Sequence, residues 1–217
     1  MSVLGLINLV QLENGHGDQT MNDYFRMMQD SIYKLDDTLK EILDYSRNAR
    51  SALHVTEVDV RKMAEDTFDR LKYMEGSDAV TKSVHCGGST AFYTDAYRLS
   101  VIINNLVSNA IKYRDAYKDH HFLRVAIEVS DREISLVISD NGIGIAADYL
   151  PRIFEMFFRA TERSEGAGLG LYIVRETVDK LHGTIQVQSE IGKGTAFAVT
   201  LPNLKMLESK SNGEIAL

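Results

Sequence analysis

Residues 122–145 read FLRVAIEVSDREISLVISDNGIGI. Two runs, 122–129 and 133–139, alternate apolar with polar side chains, the period of a strand with one buried face. Asp131-Arg132 between them predicts a hairpin. Upstream, strands are expected at 54–58, 80–86 and 90–93, and an amphipathic helix at 59–74. Asp95 is placed to cap a helix that runs to about residue 113. Downstream, a partly irregular stretch covers 141–166. A helix at about 168–181 follows, then strands at 184–189 and 195–201 around Gly192-Lys193-Gly194. This order predicts an α+β fold: a two-layer α/β sandwich whose antiparallel-rich sheet is covered by helices on one face.

The first fifty residues follow a different rule. Val3, Leu6, Ile7 and Val10 form an apolar stripe at helical spacing, and Asn14-Gly15-His16-Gly17-Asp18 breaks it. Met21, Phe25, Met28, Ile32, Leu35, Leu39 and Ile42 then alternate steps of four and three, a heptad seam. Leu43 and Tyr45 widen it. A two-helix hairpin cannot bury both stripes alone, so the pattern predicts a homodimeric four-helix bundle. The alternative is packing of this helix on its own C-terminal domain. Ser46-Arg47-Asn48-Ala49-Arg50 reads as a polar joint. The expected domains are a helical hairpin at 1–50, an α/β domain at 51–203 and a frayed tail at 204–217.

Composition narrows the functions. A net charge of −7 argues against nucleic-acid binding, which needs a basic face. Cys86 is the one cysteine, so neither a disulfide framework nor an all-cysteine metal site is available, in keeping with a cytoplasmic setting. No apolar run approaches the roughly 20 residues of a membrane span, so no membrane contact is expected of this stretch.

Four segments carry candidate chemistry. In the predicted helix, Asn105, Asn109 and Lys112 lie three or four residues apart and share a face. Two amides and an ammonium suit an oxygen-rich anion: an amide carbonyl can complete a magnesium shell and the lysine can neutralise phosphate. Alone, they read better as an ordinary solvated helix face. At the end of the second alternating strand, Asp140 precedes Gly142 and Gly144. The carboxylate can accept from an amine while the glycines admit a ligand close to the backbone; alone, Asn141-Gly142 is also a turn signal. Phe154, Phe157, Phe158 and Arg159 read as the anchors and phosphate-facing arginine of a mobile lid, or as a small apolar cluster beneath a loop. Gly166, Gly168 and Gly170 open a helix, where backbone N–H groups can meet phosphate. No β-α-β unit surrounds them and no Gly-Lys-Ser/Thr follows, so this is neither a dinucleotide fingerprint nor a P-loop.

In order and spacing, these segments resemble the N, G1, F and G2 boxes of sensor histidine kinases, within the Bergerat-type ATP-binding superfamily. Residues 183–190 and 192–197 resemble that family's last hairpin. The resemblance covers roughly residues 54–202 and implies ATP and Mg2+ as ligands. It implies that Asn109 ligates the magnesium with Asn105 beside it, that Lys112 touches phosphates and that Tyr113 lies near the nucleotide. Asp140 would accept from the adenine amine in a pocket shaped by Gly142 and Gly144. Gly166, Gly168 and Gly170 would hinge the lid and cradle phosphates. It further implies transfer of the γ-phosphoryl group to a histidine and relay to a response-regulator receiver domain. Met1-Ser2-Val3-Leu4-Gly5-Leu6 resembles the stretch just downstream of the acceptor. His16, His54, His85, His120, His121 and His182 are the six histidines, and none sits in a predicted helix ahead of an acid and a proline. The chain is therefore expected to be a fragment that does not phosphorylate itself at the usual site.

Two other readings compete. ATP hydrolases of the superfamily carry a glutamate where this chain has Asn105, and an amide cannot activate water as a base. A dimerisation module with a decayed pocket would not need Asn109, Asp140 and the glycines together.

Overall fold

The computed structural model describes residues 7, 19–88, 91–160 and 167–205. A 32-residue helix, α1 (Gln19–Arg50), comes first. It runs through the segment expected as a polar joint: 46–50 holds no proline or glycine, so nothing there stops a helix already in register. The joint falls instead at 51–54. Ile7 is buried and lines a hollow on α1 with Tyr24, Met27, Met28, Ser31 and Ile32. The remaining residues of the first predicted helix lie outside the described residues. Among the described residues no helix is long and apolar enough to cross a membrane.

Among the described residues, seven strands and three further α-helices follow: β1 (Val55–Glu57), α2 (Val60–Arg70), β2 (Val80–Gly87), β3 (Tyr93–Asp95), α3 (Ala96–Lys112), β4 (His121–Val129), β5 (Glu133–Asp140), α4 (Gly170–Lys180), β6 (Thr184–Glu190) and β7 (Gly194–Pro202). β1 and β3 form a small antiparallel pair, and the main sheet has the order β2-β4-β5-β7-β6. Its neighbours pair antiparallel except β2 and β4, which run parallel because α3 makes the crossover between them. Alternation decides the faces. Leu123, Val125 and Ile127 of β4, Ile134, Leu136 and Ile138 of β5, and Phe197, Val199 and Leu201 of β7 are buried. They share one core with Val60 and Ala64 of α2, Leu99, Ile102, Ile103, Leu106, Val107, Ala110 and Ile111 of α3, and Val174 and Val178 of α4. Arg124 and Glu128, one step out of phase, are exposed. The result is the predicted two-layer sandwich.

Three boundaries moved. The helix expected over 59–74 is α2, capped by Asp59, whose carboxylate accepts from Lys62 N–H at 2.9 Å, and it ends at Arg70 in a series of turns. The strand expected at 90–93 is β3, set two residues later by pairing with β1. Leu204, expected to begin the frayed tail, is buried and its N–H donates to Tyr93 O at 2.9 Å, next to Asn203, whose N–H donates to Arg132 O at 2.7 Å.

Candidate functional site

α3 positions the first group. Asp95 caps it as expected, accepting from Arg98 N–H at 3.0 Å. The same carboxylate accepts from His54 N–H at 3.0 Å and pairs with the Arg98 guanidinium, which also donates to Ser51 O and Ala52 O. Burial pushes the Asp95 carboxyl up, but the hydrogen bonds from His54 and Arg98 and the Arg98 charge outweigh it, leaving it below the usual range. The joint after α1 is thus tied to the start of α3 by a buried ion pair. Further along, the apolar residues of α3 face the core, while Asn105, Asn109 and Lys112 are half-buried. Asn105 Nδ2 donates to Val101 O at 2.9 Å. Among the described residues, neither the Asn109 amide nor the Lys112 ammonium has a protein hydrogen-bond partner. Tyr113 caps the helix, its N–H donating to Asn109 O at 2.9 Å.

The second group is joined to the first through the backbone. Ile143 N–H donates to Tyr113 O at 3.0 Å, and Gly142 comes so close that a Cβ there would collide with that carbonyl. Asp140, at the end of β5, accepts from Gly142 N–H at 2.8 Å and from the Thr195 backbone. Burial pushes its carboxyl above the usual range, opposed by those two N–H groups and by the Lys118 charge. Gly144 has φ +71, and a Cβ there would strike Glu190 O. The turn is also held to the β6–β7 end: Gly192 N–H donates to Ile143 O at 2.8 Å and Ile145 N–H to Ser189 Oγ at 2.8 Å.

The third and fourth segments meet each other. Ile153 is buried, and Phe154 and Phe158 pack on the core; Arg175 lies over Phe154 and Arg152 over Phe158. Phe157 is not an anchor. It is 61% exposed with φ +64, and its N–H donates to Gly168 O at 3.1 Å. Ile145 and Leu150 also pack on the core, so the stretch expected to carry a mobile lid has apolar contacts at Ile145, Leu150, Ile153, Phe154 and Phe158. Arg159 lies exposed on this segment. Gly168, φ +74, threads against Phe157 and Phe158, and Gly170 opens α4 with Asn105 Oδ1 only 2.8 Å from where its Cβ would be. Gly166 lies outside the described residues.

The structure thus brings Asn105 to Gly170 and Tyr113 to Gly142. Sequence reasoning missed Lys118, Thr195, Gly194 and the Asp95–Arg98 pair. A Cβ on Gly194 would collide with Asp140 O, and the Gly-Lys-Gly run was the one signal for it.

Fold and site define an ATP-binding sandwich with helices on one face of a mixed sheet. Residues 94–205, just over half of the chain, match the family described as histidine kinase-, DNA gyrase B-, and HSP90-like ATPase, and the chain belongs to that family as the catalytic ATP-binding domain of a sensor histidine kinase. It is 34% identical over 175 residues to the autoinducer 2 sensor kinase/phosphatase LuxQ of Vibrio parahaemolyticus, covering 76% of this chain and 20% of that protein. It is 30% identical over 211 residues to the sensor histidine kinase AtsR of Burkholderia thailandensis, covering 89% of this chain and 33% of that protein. The chain therefore spans a fifth to a third of the length of these relatives. Full-length ShkA, solved in complex with AMPPNP, superposes with a TM-score of 0.71 at 24% identity, over 92% of this chain and 42% of ShkA. The Acinetobacter baumannii histidine kinase AdeS gives 0.66 at 21% identity over 93% of each chain. These structures share its fold.

Proposed function

We propose that the domain binds Mg-ATP and transfers the γ-phosphoryl group to a histidine, from which a response-regulator aspartate takes it. The observation that carries this reading is the α3 face, where the Asn109 amide and the Lys112 ammonium are without protein partners among the described residues, beside Asn105. The donor set fits magnesium held chiefly by phosphates and water: neutral amide oxygens supply one or two ligands, with Asn109 the ligand and Asn105 next to it. The metal, when bound, neutralises phosphate charge. Lys112 and Arg159 meet phosphate oxygens, and Gly168 and Gly170 let backbone approach them. Asp140 accepts from the adenine amine in a pocket shaped by Gly142 and Gly144, with Tyr113 alongside. In the transfer, a histidine ring nitrogen bonds to the γ-phosphorus. The attacking nitrogen is the unprotonated one of the ring; the bond from that phosphorus to the β–γ bridging oxygen breaks, ADP leaves, and the proton on the other ring nitrogen passes to solvent.

An ATP hydrolase is the second reading. Asn105 disfavours it, because an amide offers no base for water. The accepting histidine is inferred to lie outside this chain's six. α1 supports pairing into a dimeric four-helix bundle: Met21, Leu35, Leu39 and Ile42 of its seam are exposed in the single chain. The test incubates the chain with Mg-[γ-32P]ATP and a helical bundle that carries an acceptor histidine. Acid-labile label on the bundle is expected. Phosphate release to water without any transfer would favour the hydrolase.

A further inference from the structure

Lys118 belongs to none of the four segments. It stands in the loop between α3 and β4, with 27% of its side chain exposed. Its ammonium donates to Asn141 O at 2.6 Å, Gly142 O at 3.3 Å and Gly192 O at 2.6 Å, with the Asp115 carboxylate at 4.0 Å. An ammonium has three N–H donors and no acceptor, and here three carbonyl oxygens converge on it. They come from two separate turns: the one that follows Asp140 and the one that joins β6 to β7. Gly142 is gripped from both sides, its N–H by Asp140 Oδ1 and its carbonyl by Lys118. Asn141 completes the clamp: its Oδ1 accepts from Phe122 N–H at 2.9 Å and its Nδ2 donates to His120 O at 2.7 Å, which fixes the turn to the start of β4.

Holding a long side chain in one rotamer costs entropy, and carbonyl dipoles that face one another repel unless a cation lies between them. The clamp leaves Asp140 little freedom. Its neighbours on the C-terminal side are fixed by the lysine, and Thr195, just beyond Gly192, donates to the carboxylate itself. The Lys118 charge also favours the ionised carboxylate against the burial that disfavours it.

We propose that Lys118 is a positioning residue for nucleotide recognition, tying the Asn141–Gly142 turn to the Gly192 turn so that the Asp140 carboxylate is held where it accepts from the adenine amine. The proposal rests on the nucleotide-binding reading of this site. Lys118 acts through the base pocket, so its loss affects adenosine and ADP alike.

The test uses the full chain and three variants: Lys118→Met, Cys86→Ala, and Lys118→Cys in the Cys86→Ala background, measured before and after alkylation with 2-bromoethylamine. Alkylation rebuilds an ammonium at nearly the reach of lysine. Calorimetry with Mg-ADP and NMR titration with adenosine read binding, and thermal unfolding without nucleotide reads the fold. Lys118→Met is expected to remain folded and to bind both ligands about tenfold more weakly, the scale of lost charge-assisted hydrogen bonds. Alkylation of the cysteine variant is expected to restore both affinities. Unchanged binding by folded Lys118→Met overturns the proposal. So does a loss confined to ADP, which would place Lys118 on phosphate, or failure of the alkylated protein to recover. Loss of fold in both Lys118→Met and Lys118→Cys overturns it in favour of a purely structural lysine. Failure of the unsubstituted chain to bind ADP at all is a separate result, because it removes the nucleotide reading on which the proposal stands.

Discussion

Asp140→Asn separates what the site needs from what the fold prefers. The side-chain oxygen that accepts from Gly142 N–H at 2.8 Å can be replaced by the amide oxygen. The amide nitrogen then takes the place of the carboxylate oxygen offered to the base. It presents a donor to the donor of the adenine amine. Losing a hydrogen bond to a charged acceptor and leaving the amine unpaired should cost about 2–3 kcal/mol, or roughly 30- to 150-fold in affinity. Apo stability should move the other way. Burial raises the Asp140 carboxyl above its ordinary 3.8. Between the unfolded and folded values the native state holds more protons than the unfolded state, so stability falls as pH rises through that window. A neutral amide at this position would carry no such penalty, and the apo variant should be at least as stable as the parent at neutral pH. For the parent, ADP binding should weaken as pH falls through the raised value, starting above 3.8; the variant should lose that dependence. Calorimetry with Mg-ADP and Mg-GDP, with thermal unfolding in parallel, tests all of this. Equal affinity for the two bases in the parent, or an Asp140→Asn variant that binds ADP normally, refutes the assignment. A variant that loses binding only because its apo form is destabilised refutes the burial argument.

Three other substitutions test separate parts of the structure. Gly144→Ala places a Cβ against Glu190 O at φ +71, and should cost about 1–3 kcal/mol, or roughly 3–10 °C in Tm by calorimetric scanning. Gly170→Ala suits the helix but brings a Cβ to 2.8 Å from Asn105 Oδ1; Tm should hold while Mg-dependent ADP binding drops about three- to tenfold, with adenosine binding unaffected. Leu35→Asp, on a seam residue 62% exposed in the single chain, should abolish dimers in light scattering because a buried charge costs several kcal/mol. ADP affinity should survive, and a variant that stays dimeric would remove the heptad seam from the interface.

Much of the fold was legible because its strands are half-buried. A period of two fixes which residues of β4, β5 and β7 enter the core, and the Asp131-Arg132 hairpin falls where the alternation stops. Asp95 was legible as a cap from its chemistry alone. The parallel pairing of β2 with β4 was not, since it joins strands separated by a whole helix and no local pattern encodes it. The aromatic run at 154–158 shows the limit of composition. Phe154 and Phe158 reach the core and Phe157 turns outward, because its left-handed backbone points that side chain away from its neighbours' face. Lys118 and Arg98 were invisible for a related reason. Lys118 meets main-chain carbonyls, which leave no trace in side-chain spacing, and the Asp95–Arg98 step of three residues looks like any ordinary charge pair on a helix, with nothing in it to mark burial or the carbonyls of Ser51 and Ala52.

α3 shows why the site is built where it is. A helix that lines the core on one face is held rigid by Leu99, Ile102, Ile103, Leu106 and Ile111, so the polar residues on its other face inherit fixed positions without contacts of their own. Asn109 and Lys112 can then remain without protein partners among the described residues, at the cost of partly desolvating an amide and an ammonium that a ligand must compensate. The two ends of α3 are tied to other elements by different means. At its start, the Asp95–Arg98 pair grips Ser51 and Ala52 of the joint after α1. At its end, Tyr113 O accepts from Ile143 N–H in the turn beside Asp140. A displacement of α1 carried through the joint would act first on Arg98, and through a helix that cannot bend without breaking the core it would reach Asn105, Asn109 and Lys112 together. The joint and the residues proposed to face phosphate thereby lie on one rigid element, and the turn beside Asp140, proposed to hold the base, meets that element at Tyr113 O and is held besides by the clamp of Lys118 and the β6–β7 turn.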